Sequence, residues 1–594
     1  MASTIASRIQ EQGQTRGSAP AYYVRNANGW QSTSWGEFAG QVRRAGKAMM
    51  ALGMGEGAAA CMLGFNSPEW TVFDVAALSI GGVPAGIYTT CSAEEVAYIV
   101  AHCEATTILI EDEGQWAKLV EKRAELPALK QVVTMPGCPA IDDDLVISWA
   151  DFLASGDDIA DADFDARVEG LRGDQLATLI YTSGTTGPPK GVMLTHDNLA
   201  WTAELGIKLA HAEASDCALS YLPLSHIAEQ MFTIHVSATA GYPVYYARSI
   251  DKVPDDLKEV QPTIFFGVPR IWEKFYAGIK AKGADAPPLR KKIGAWARDV
   301  GSRVSALRMK GQEPSGMLAF QYNLAKKLVF DSKVKPAIGL SRAKVCVSGA
   351  APITREVLEF MASLDIVVQE IYGQSEGSGP TTFNQPGKVK FGTVGQPLEG
   401  IEVKLGDDEE ILVKGRNIFA GYYKDPDATA ATLSEDGWLH SGDLGAFDAD
   451  GFLKIIGRKK EIIITAGGKN ITPKNVEEAL KTIPLINEAV MIGDRRKFCS
   501  AVVTLDPEVT AVWAKDNGVD PAKAHEDPKV IAEIQAGVDA ANQQFARVEQ
   551  IKKFRILPRN LTVEDKELTP TLKVKRRFVY ENWAELIDSM YEEA

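Results

Sequence analysis

An α/β fold with mostly parallel sheets, divided into more than one domain, is what this sequence predicts, and three observations carry the prediction. Short apolar, β-rich runs such as "QLATLIYTSG", "PTIFFGVPR" and "AKVCVSGAAP" recur through the first two thirds of the chain, each running into Gly, Ser or Pro. Helical stretches alternate with them, and buried strands that feed loops and then helices build parallel sheets covered by helices. The 594 residues exceed what one hydrophobic core accommodates, so two or more domains are expected. Ligands in such folds sit beyond the carboxyl ends of the strands, where these Gly-rich turns fall.

Taken in order, the N-terminal "MASTIASRIQEQGQTRG" has no apolar signal-peptide core. No apolar run approaches the ~18 residues needed to span a bilayer. The expectation is a cytoplasmic protein, or one associated with the cytoplasmic face of a membrane. Residues 281–340 read as helix: "LRKKIGAWARDVGSRVSALRMK" sets Ile293, Trp296, Val300, Val304 and Leu307 at three- and four-residue spacing. After about residue 392 the texture changes to short strands and tight turns, as in "FDADGFLKIIGRKKEIIIT". A helix then begins at "ITPKNVEEAL", where Thr472 suits the cap and Pro473 the first position. The "GRKKE" stretch marks the boundary between a large domain, 1–459, and a small one, 460–594.

Composition narrows the function. Hydrophobic content of 45% and charged content of 24% are those of an ordinary soluble protein. The seven cysteines are scattered, odd in number and never spaced CxxC, against a disulfide framework or a zinc site. A metal, if used, is a hard ion held by oxygen. The net charge of −14 disfavours nucleic acid as a partner. Residues 281–344 run the other way, with 14 Lys and Arg against 4 Asp and Glu. That segment reads as a contact for anionic lipid, a receptor for ligand phosphates, or a solvated helical face.

The stretch "YTSGTTGPPKGVMLTH", Tyr181–His196, looks like a phosphate loop. It fails the Walker pattern, which needs Lys directly after Gly and a helix starting there. Here Pro188 and Pro189 follow Gly187, and Lys190 is followed by Gly191. Two prolines obstruct a helix at that point. The loop still suits phosphate: Thr182, Ser183, Thr185 and Thr186 supply hydroxyl donors, while Gly184 and Gly187 allow close backbone approach. A plain surface loop has the same composition.

Five further stretches decide between these. "SGAAP" (Ser348–Pro352), "YGQSE" (Tyr372–Glu376), "GWLHSGDLG" (Gly437–Gly445), "GRKKEIIITAGGKNI" and "ELTPTLKVKRR" (Glu567–Arg577) follow the glycine-rich loop in order. The chain thereby resembles the adenylate-forming superfamily, from about residue 20 to its end. "YLPLSHIAEQ", "FFGVPRIWEK" and "FGTVGQPLEGIEVK" are similar to one branch, the bubblegum-type long-chain acyl-CoA synthetases. The resemblance implies a large domain of stacked α/β sheets with a β-barrel-like subdomain, and a small mobile α+β domain. It implies ATP, a fatty acid, coenzyme A and Mg²⁺.

It also implies site residues. The loop Thr182, Ser183, Gly184, Thr185, Thr186 and Gly187 would hold the β- and γ-phosphates, with Lys190 bracing the loop or touching phosphate. Ser348, Gly349, Ala350 and Ala351 would form the adenine wall, with Glu370, Ile371, Tyr372, Gly373, Gln374 and Ser375 continuing it. Tyr372 would stack on adenine; Glu370 stands where relatives often carry an amide, and a carboxylate can only accept there. Glu376 would be the Mg²⁺ ligand, since hard ions take carboxylate and phosphate oxygens. Asp443 would accept from the ribose hydroxyls, with Arg458 on ribose or phosphate. His226 would line the junction of acyl pocket and phosphate site. Lys573 would be the catalytic lysine, a compact mobile point charge between carboxylate and α-phosphate. Lys460 would be a hinge, and Gly467, Gly468 and Lys469 a loop facing coenzyme A. The leading expectation is an ATP-dependent long-chain fatty acid:CoA ligase. The alternatives are a fatty acyl-AMP ligase that loads a carrier protein and a non-catalytic lipid-binding protein of the same fold. Chain length and oligomeric state are not encoded in any motif.

Overall fold

Strands of Ala, Val, Ile and Leu buried on both faces form the centre of the molecule. The strands Ala59–Leu63, Val83–Ile87 and Thr107–Ile110 have every residue buried, as a parallel sheet covered by helices on both sides requires. The computed structural model describes residues 3–182, 188–466 and 469–592. Its largest sheet has eight strands. From Leu176–Thr182 through Val83–Ile87, Ala59–Leu63, Thr107–Ile110 and Gln131–Thr134 to Val146–Ser148 the pairing is parallel. Lys190–Thr195 turns back antiparallel beside Leu176–Thr182, and Gly421–Tyr422 closes that edge.

A second sheet has five strands. Ile264–Gly267, Val345–Ser348 and Val368–Gln374 run parallel, with Ser348 opposite Glu370. Gly379–Phe383 and Gln396–Pro397 extend it antiparallel. A third, of four strands, joins Ala218–Ser220 and Val244–Tyr246 to the N-terminal hairpin Pro20–Ser34. The subdomain expected to be barrel-like is a four-stranded antiparallel sheet, Ile401–Leu405, Glu410–Gly415, Leu439–Phe447 and Leu453–Arg458.

Beyond Arg458 a single turn, Lys459–Glu461, leads to a part with its own core. Two hydrophobic clusters there are built wholly from residues at or after Ile463. They lie between a three-stranded sheet, Ile486–Ile492, Cys499–Leu505 and Ile551–Ile556, and helices such as Pro473–Lys481 and Pro528–Asn542. Pro473 takes the first turn as expected, but the Thr472 hydroxyl makes no capping bond. Its methyl instead fills the space over Gly457, where a Cβ would lie 2.4 Å from Thr472 Cγ2.

The basic segment is helical, as Pro288–Arg308 and Gly316–Ala325 followed by a wider turn through Val334. Val300 and Val304 are buried on Tyr322, Ala325 and Phe330. Ile293 departs from expectation: it shares their spacing but is exposed. No described helix is long and apolar enough to cross a membrane.

Candidate active site

The strand Val368–Gln374 carries Glu370, Ile371, Tyr372, Gly373 and Gln374 in succession, and the single turn Ser375–Gly377 follows. Beside it Val345–Ser348 ends at Ser348, so Ser348–Ala351 and Tyr372–Glu376 share the carboxyl edge of one sheet. Two local features keep this edge open. Ala350 is held at φ +66°, a left-handed turn rare outside glycine. At Gly373 a Cβ would lie 1.7 Å from the Gly379 carbonyl oxygen, so only glycine permits the shifted register between these strands. The Ser348 hydroxyl is buried at this edge without a hydrogen-bond partner among the described residues.

Asp443 and Arg458 lie opposite each other on the antiparallel pair Leu439–Phe447 and Leu453–Arg458. The Arg458 Nε forms an ion pair with Asp443 Oδ1 at 2.9 Å, and the Tyr372 hydroxyl donates to Asp443 Oδ2 at 2.8 Å. The two carboxylate oxygens are thus aimed by a cation and a phenol, each keeping a lone pair for another donor. The Asp443 charge holds the Arg458 guanidinium above its usual range. Burial and the same carboxylate keep the Tyr372 phenol protonated, so it stays a donor.

Glu376 accepts from the Tyr422 hydroxyl, 2.8 Å from Oε1. The Tyr422 ring lies under the Lys190 ammonium, 4.7 Å from its centroid. Lys190 is therefore one link from Glu376, through an aromatic ring. Sequence reasoning missed Tyr422, whose only signal was the pair of tyrosines in "FAGYYKDP". The Thr182 hydroxyl, at the root of the glycine-rich loop, points at the Lys190 carbonyl at 3.5 Å. Ser183, Gly184, Thr185, Thr186 and Gly187 lie outside the described residues.

His226 opens a short helix, and its Nδ1 accepts the Ala228 N–H at 3.1 Å. Burial, then the nearby Lys573 ammonium, push its imidazole down to about 4. The ring is neutral at physiological pH, and with Nδ1 accepting, the proton sits on Nε2 as a donor. Three residues on, Glu229 was quoted within its motif but not singled out. It is buried, accepts from the Tyr221 N–H and the Thr233 hydroxyl, and burial raises it to about 7.

Glu370 differs from expectation. Its Oε2 accepts the Gly392 N–H at 3.1 Å and lies 3.5 Å from Asn384 Nδ2, and burial lifts its carboxyl to about 8. At neutral pH it is a protonated acid, able to donate as well as accept, rather than an acceptor-only carboxylate.

Lys573 arrives from the far end of the chain. The turn Thr569–Lys573 is closed by the Lys573 N–H donating to Thr569 Oγ1 at 3.0 Å, with Leu572 left-handed at φ +59°. Two contacts seat it against the first part of the molecule. The Thr90 hydroxyl donates to the Pro570 carbonyl at 2.7 Å, and the Lys575 ammonium lies 3.8 Å from Glu95. The Lys573 side chain is solvent-exposed at its surface but crowded by protein and like charge. Surrounding protein, then Arg458 and Lys474, lower its ammonium to about 8, while Asp443 and Glu376 pull the other way. Lys573 thus shares one electrostatic neighbourhood with Glu376, Asp443, Arg458 and His226, drawn from five separate motifs.

Not everything converges there. Lys460 is exposed in the turn Lys459–Glu461, whose Lys459 pairs with Asp408 and Glu410. The Lys469 N–H donates to Thr465 Oγ1 at 3.2 Å, and the Ala466 N–H to the Arg496 carbonyl, so this loop's bonds stay within the C-terminal part. Gly467 and Gly468 lie outside the described residues. No group of three His, Cys, Asp or Glu side chains among the described residues is arranged for a metal. Glu376, with one oxygen on Tyr422, is a lone carboxylate, the donor set of an ion that takes its other ligands from phosphate.

Two family models match the chain: AMP-binding enzyme over residues 9–423, and AMP-binding enzyme C-terminal domain over 460–594. A long-chain-fatty-acid–CoA ligase of Xenopus laevis, ACSBG2, is 39% identical over 100% of this chain and 84% of its own. ACSBG2 of Homo sapiens is 36% identical over 99% and 92%, and the human ACSBG1 ligase 36% over 95% and 82%. Among solved structures, an anthranilate CoA ligase in complex with anthranoyl-AMP superposes with a TM-score of 0.73 at 19% identity, covering 99% of this chain and 98% of that one. ATP-bound MatB from Rhodopseudomonas palustris gives 0.69 at 22%, covering 99% and 100%.

Proposed function

The chain belongs to the AMP-binding enzyme family, and from that premise we propose the chemistry its residues perform. It is an ATP-dependent long-chain fatty acid:CoA ligase. A carboxylate oxygen of the fatty acid attacks the α-phosphorus of ATP, and the bond to the bridging oxygen breaks to release pyrophosphate. The thiolate of coenzyme A then adds to the acyl carbonyl, and AMP departs. Full-length similarity to several long-chain-fatty-acid–CoA ligases supports the substrate class.

The first half brings an anion to a polyanion, so positioned positive charge decides its rate. Lys573 places an ammonium between carboxylate and α-phosphate, and the neutral His226 offers its Nε2–H to the same oxygens. Asp443 takes the ribose hydroxyls, with Arg458 and Tyr372 fixing its orientation. The Ser348 hydroxyl and a protonated Glu370 serve the adenine edge. Glu376 would hold Mg²⁺ together with ATP oxygens, and that ion, when bound, neutralises phosphate charge. Residues 182–187 cradle the departing pyrophosphate, and Lys190 braces their exit through Tyr422. The domains divide at 459/460, and rotation about Lys460 exchanges Lys573 for the loop 465–470 once the adenylate has formed. The basic segment 281–344 provides peripheral contact with an anionic membrane surface.

The convergence of Lys573 with Glu376, Asp443 and Arg458 is the observation that carries this reading. Its test separates the two halves. Lys573→Ala loses adenylation, by about 10²-fold or more, while thioester formation from supplied acyl-AMP is retained. Full pyrophosphate release by that variant would remove Lys573 from the mechanism. Acyl-AMP that accumulates without thioester when coenzyme A is present would point instead to an acyl-AMP ligase.

A further inference from the structure

The basic segment presents an apolar ridge that its charge alone does not explain. The helix Gly316–Ala325 and the turn after it bury Tyr322, Ala325 and Phe330 on one side. On the other side Met317, Phe320, Leu324 and Leu328 are 71%, 65%, 39% and 49% exposed. Their spacing is that of one helical stripe, so the helix is apolar on two faces and only one is covered by the described residues. The packed helix Pro288–Arg308 adds Leu289 and Ile293, both exposed. Isolated exposed apolar residues are ordinary; a contiguous ridge of large ones marks a docking surface. Lys327 lies within this stretch, Arg290, Lys291 and Lys292 lie between Leu289 and Ile293, and none of the four forms an ion pair among the described residues. Unpaired cations around large apolar side chains match the interface of an anionic bilayer, where headgroups take the charge and the acyl boundary takes the side chains.

We propose that Met317, Phe320, Leu324 and Leu328 insert into the headgroup–acyl boundary of an anionic phospholipid bilayer, with the unpaired cations on the headgroups. This rests on the membrane reading of the basic segment and adds penetration to it. A protein held only by charge is released as salt screens the attraction, whereas buried apolar side chains resist salt. The docked enzyme would take its fatty acid from the lipid phase in which such substrates partition.

Co-sedimentation of the full chain with phosphatidylcholine–phosphatidylserine vesicles, at low and raised salt, tests this. Met317→Ser/Phe320→Ser should bind about tenfold more weakly and lose its remaining binding to salt. Phe320→Leu should bind like the wild type, and wild type should keep part of its binding at raised salt. Lys291→Glu/Lys292→Glu should weaken binding mainly at low salt. Both altered pairs are exposed and none of the four is among the residues assigned to the site, so turnover of cyclodextrin-solubilised fatty acid should not change. If the apolar variant binds like wild type while the charge variant fails, penetration is wrong and the charged contact survives. If neither variant changes binding, both readings fall. If the apolar variant keeps vesicle binding but loses self-association, the ridge is a contact between two copies and the proposal is overturned.

Discussion

A lysine serving as an electrostatic catalyst must keep its proton, and Lys573 sits where keeping it is hardest. The surrounding protein, with Arg458 and Lys474, lowers it to about 8. At pH 7 the ammonium still outnumbers the free amine about tenfold. As pH rises through 8 the charge is lost, so kcat/KM for adenylation should fall with an apparent pKa near 8. An unperturbed lysine would place that fall near 10.4. The direction follows from the chemistry: the active form is the protonated one, and crowding plus like charge moves its loss downward. Lys474→Gln removes one of the two repelling cations and should move the alkaline limb upward. Pyrophosphate release against pH, from free enzyme at low substrate, measures both. A limb that stays fixed in Lys474→Gln would separate the fall from Lys573.

At the scale of elements, the edge formed by Val345–Ser348 and Val368–Gln374 is tightly constrained at Gly373. Gly373→Ala should lower stability by about 1–3 kcal/mol, because its Cβ would enter the Gly379 carbonyl and force the bulged strands apart. A thermal melt reads that loss, and an unchanged midpoint would show that this strand pair shifts freely. Much of this level was legible in the sequence. The apolar run in "QLATLIYTSG", read as a buried strand, is the strand Leu176–Thr182 with Ala177–Tyr181 buried. Glu376, Asp443, Arg458 and Lys573 were singled out through the resemblance of their motifs to a known family, and the structure brings the four into one electrostatic neighbourhood. What was not legible depends on distant chain. Tyr422 acquires its link to Glu376 and Lys190 only when Gly421–Tyr422 pairs with Lys190–Thr195 across the sheet edge. The protonated state of Glu370 follows from burial that no local spacing reports. Ile293 carries the right periodicity for the core yet is exposed, and periodicity does not tell which positions are covered.

At the scale of the molecule, Lys573 reaches the site only because the C-terminal part leans on the large one, and the contacts holding it there are few. Thr90 to Pro570 is a single hydrogen bond, Lys575 to Glu95 a loose ion pair, and Arg270 reaches Asp506 at 3.1 Å and Asn487 at 3.4 Å. A loose ion pair at 3.8 Å and one with a half-exposed arginine contribute ~0–1 kcal/mol each, and one neutral hydrogen bond about 1 kcal/mol. An arrangement held so lightly suits a part that must leave after the first half-reaction, since stronger docking would slow the second. Thr90→Val deletes the hydroxyl donor, keeps the side-chain volume and touches neither ATP nor the lysine. It should shift the balance away from the docked arrangement by about fivefold. Adenylation should slow by up to that factor, and thioester formation from supplied acyl-AMP should hold steady or rise. Pyrophosphate release and acyl-AMP consumption, measured on the same preparation, distinguish this from general damage, which would lower both. If both rates fall together, Thr90 supports the fold rather than the docking, and the seat of the Lys573 turn must be sought in Glu95 and Lys575.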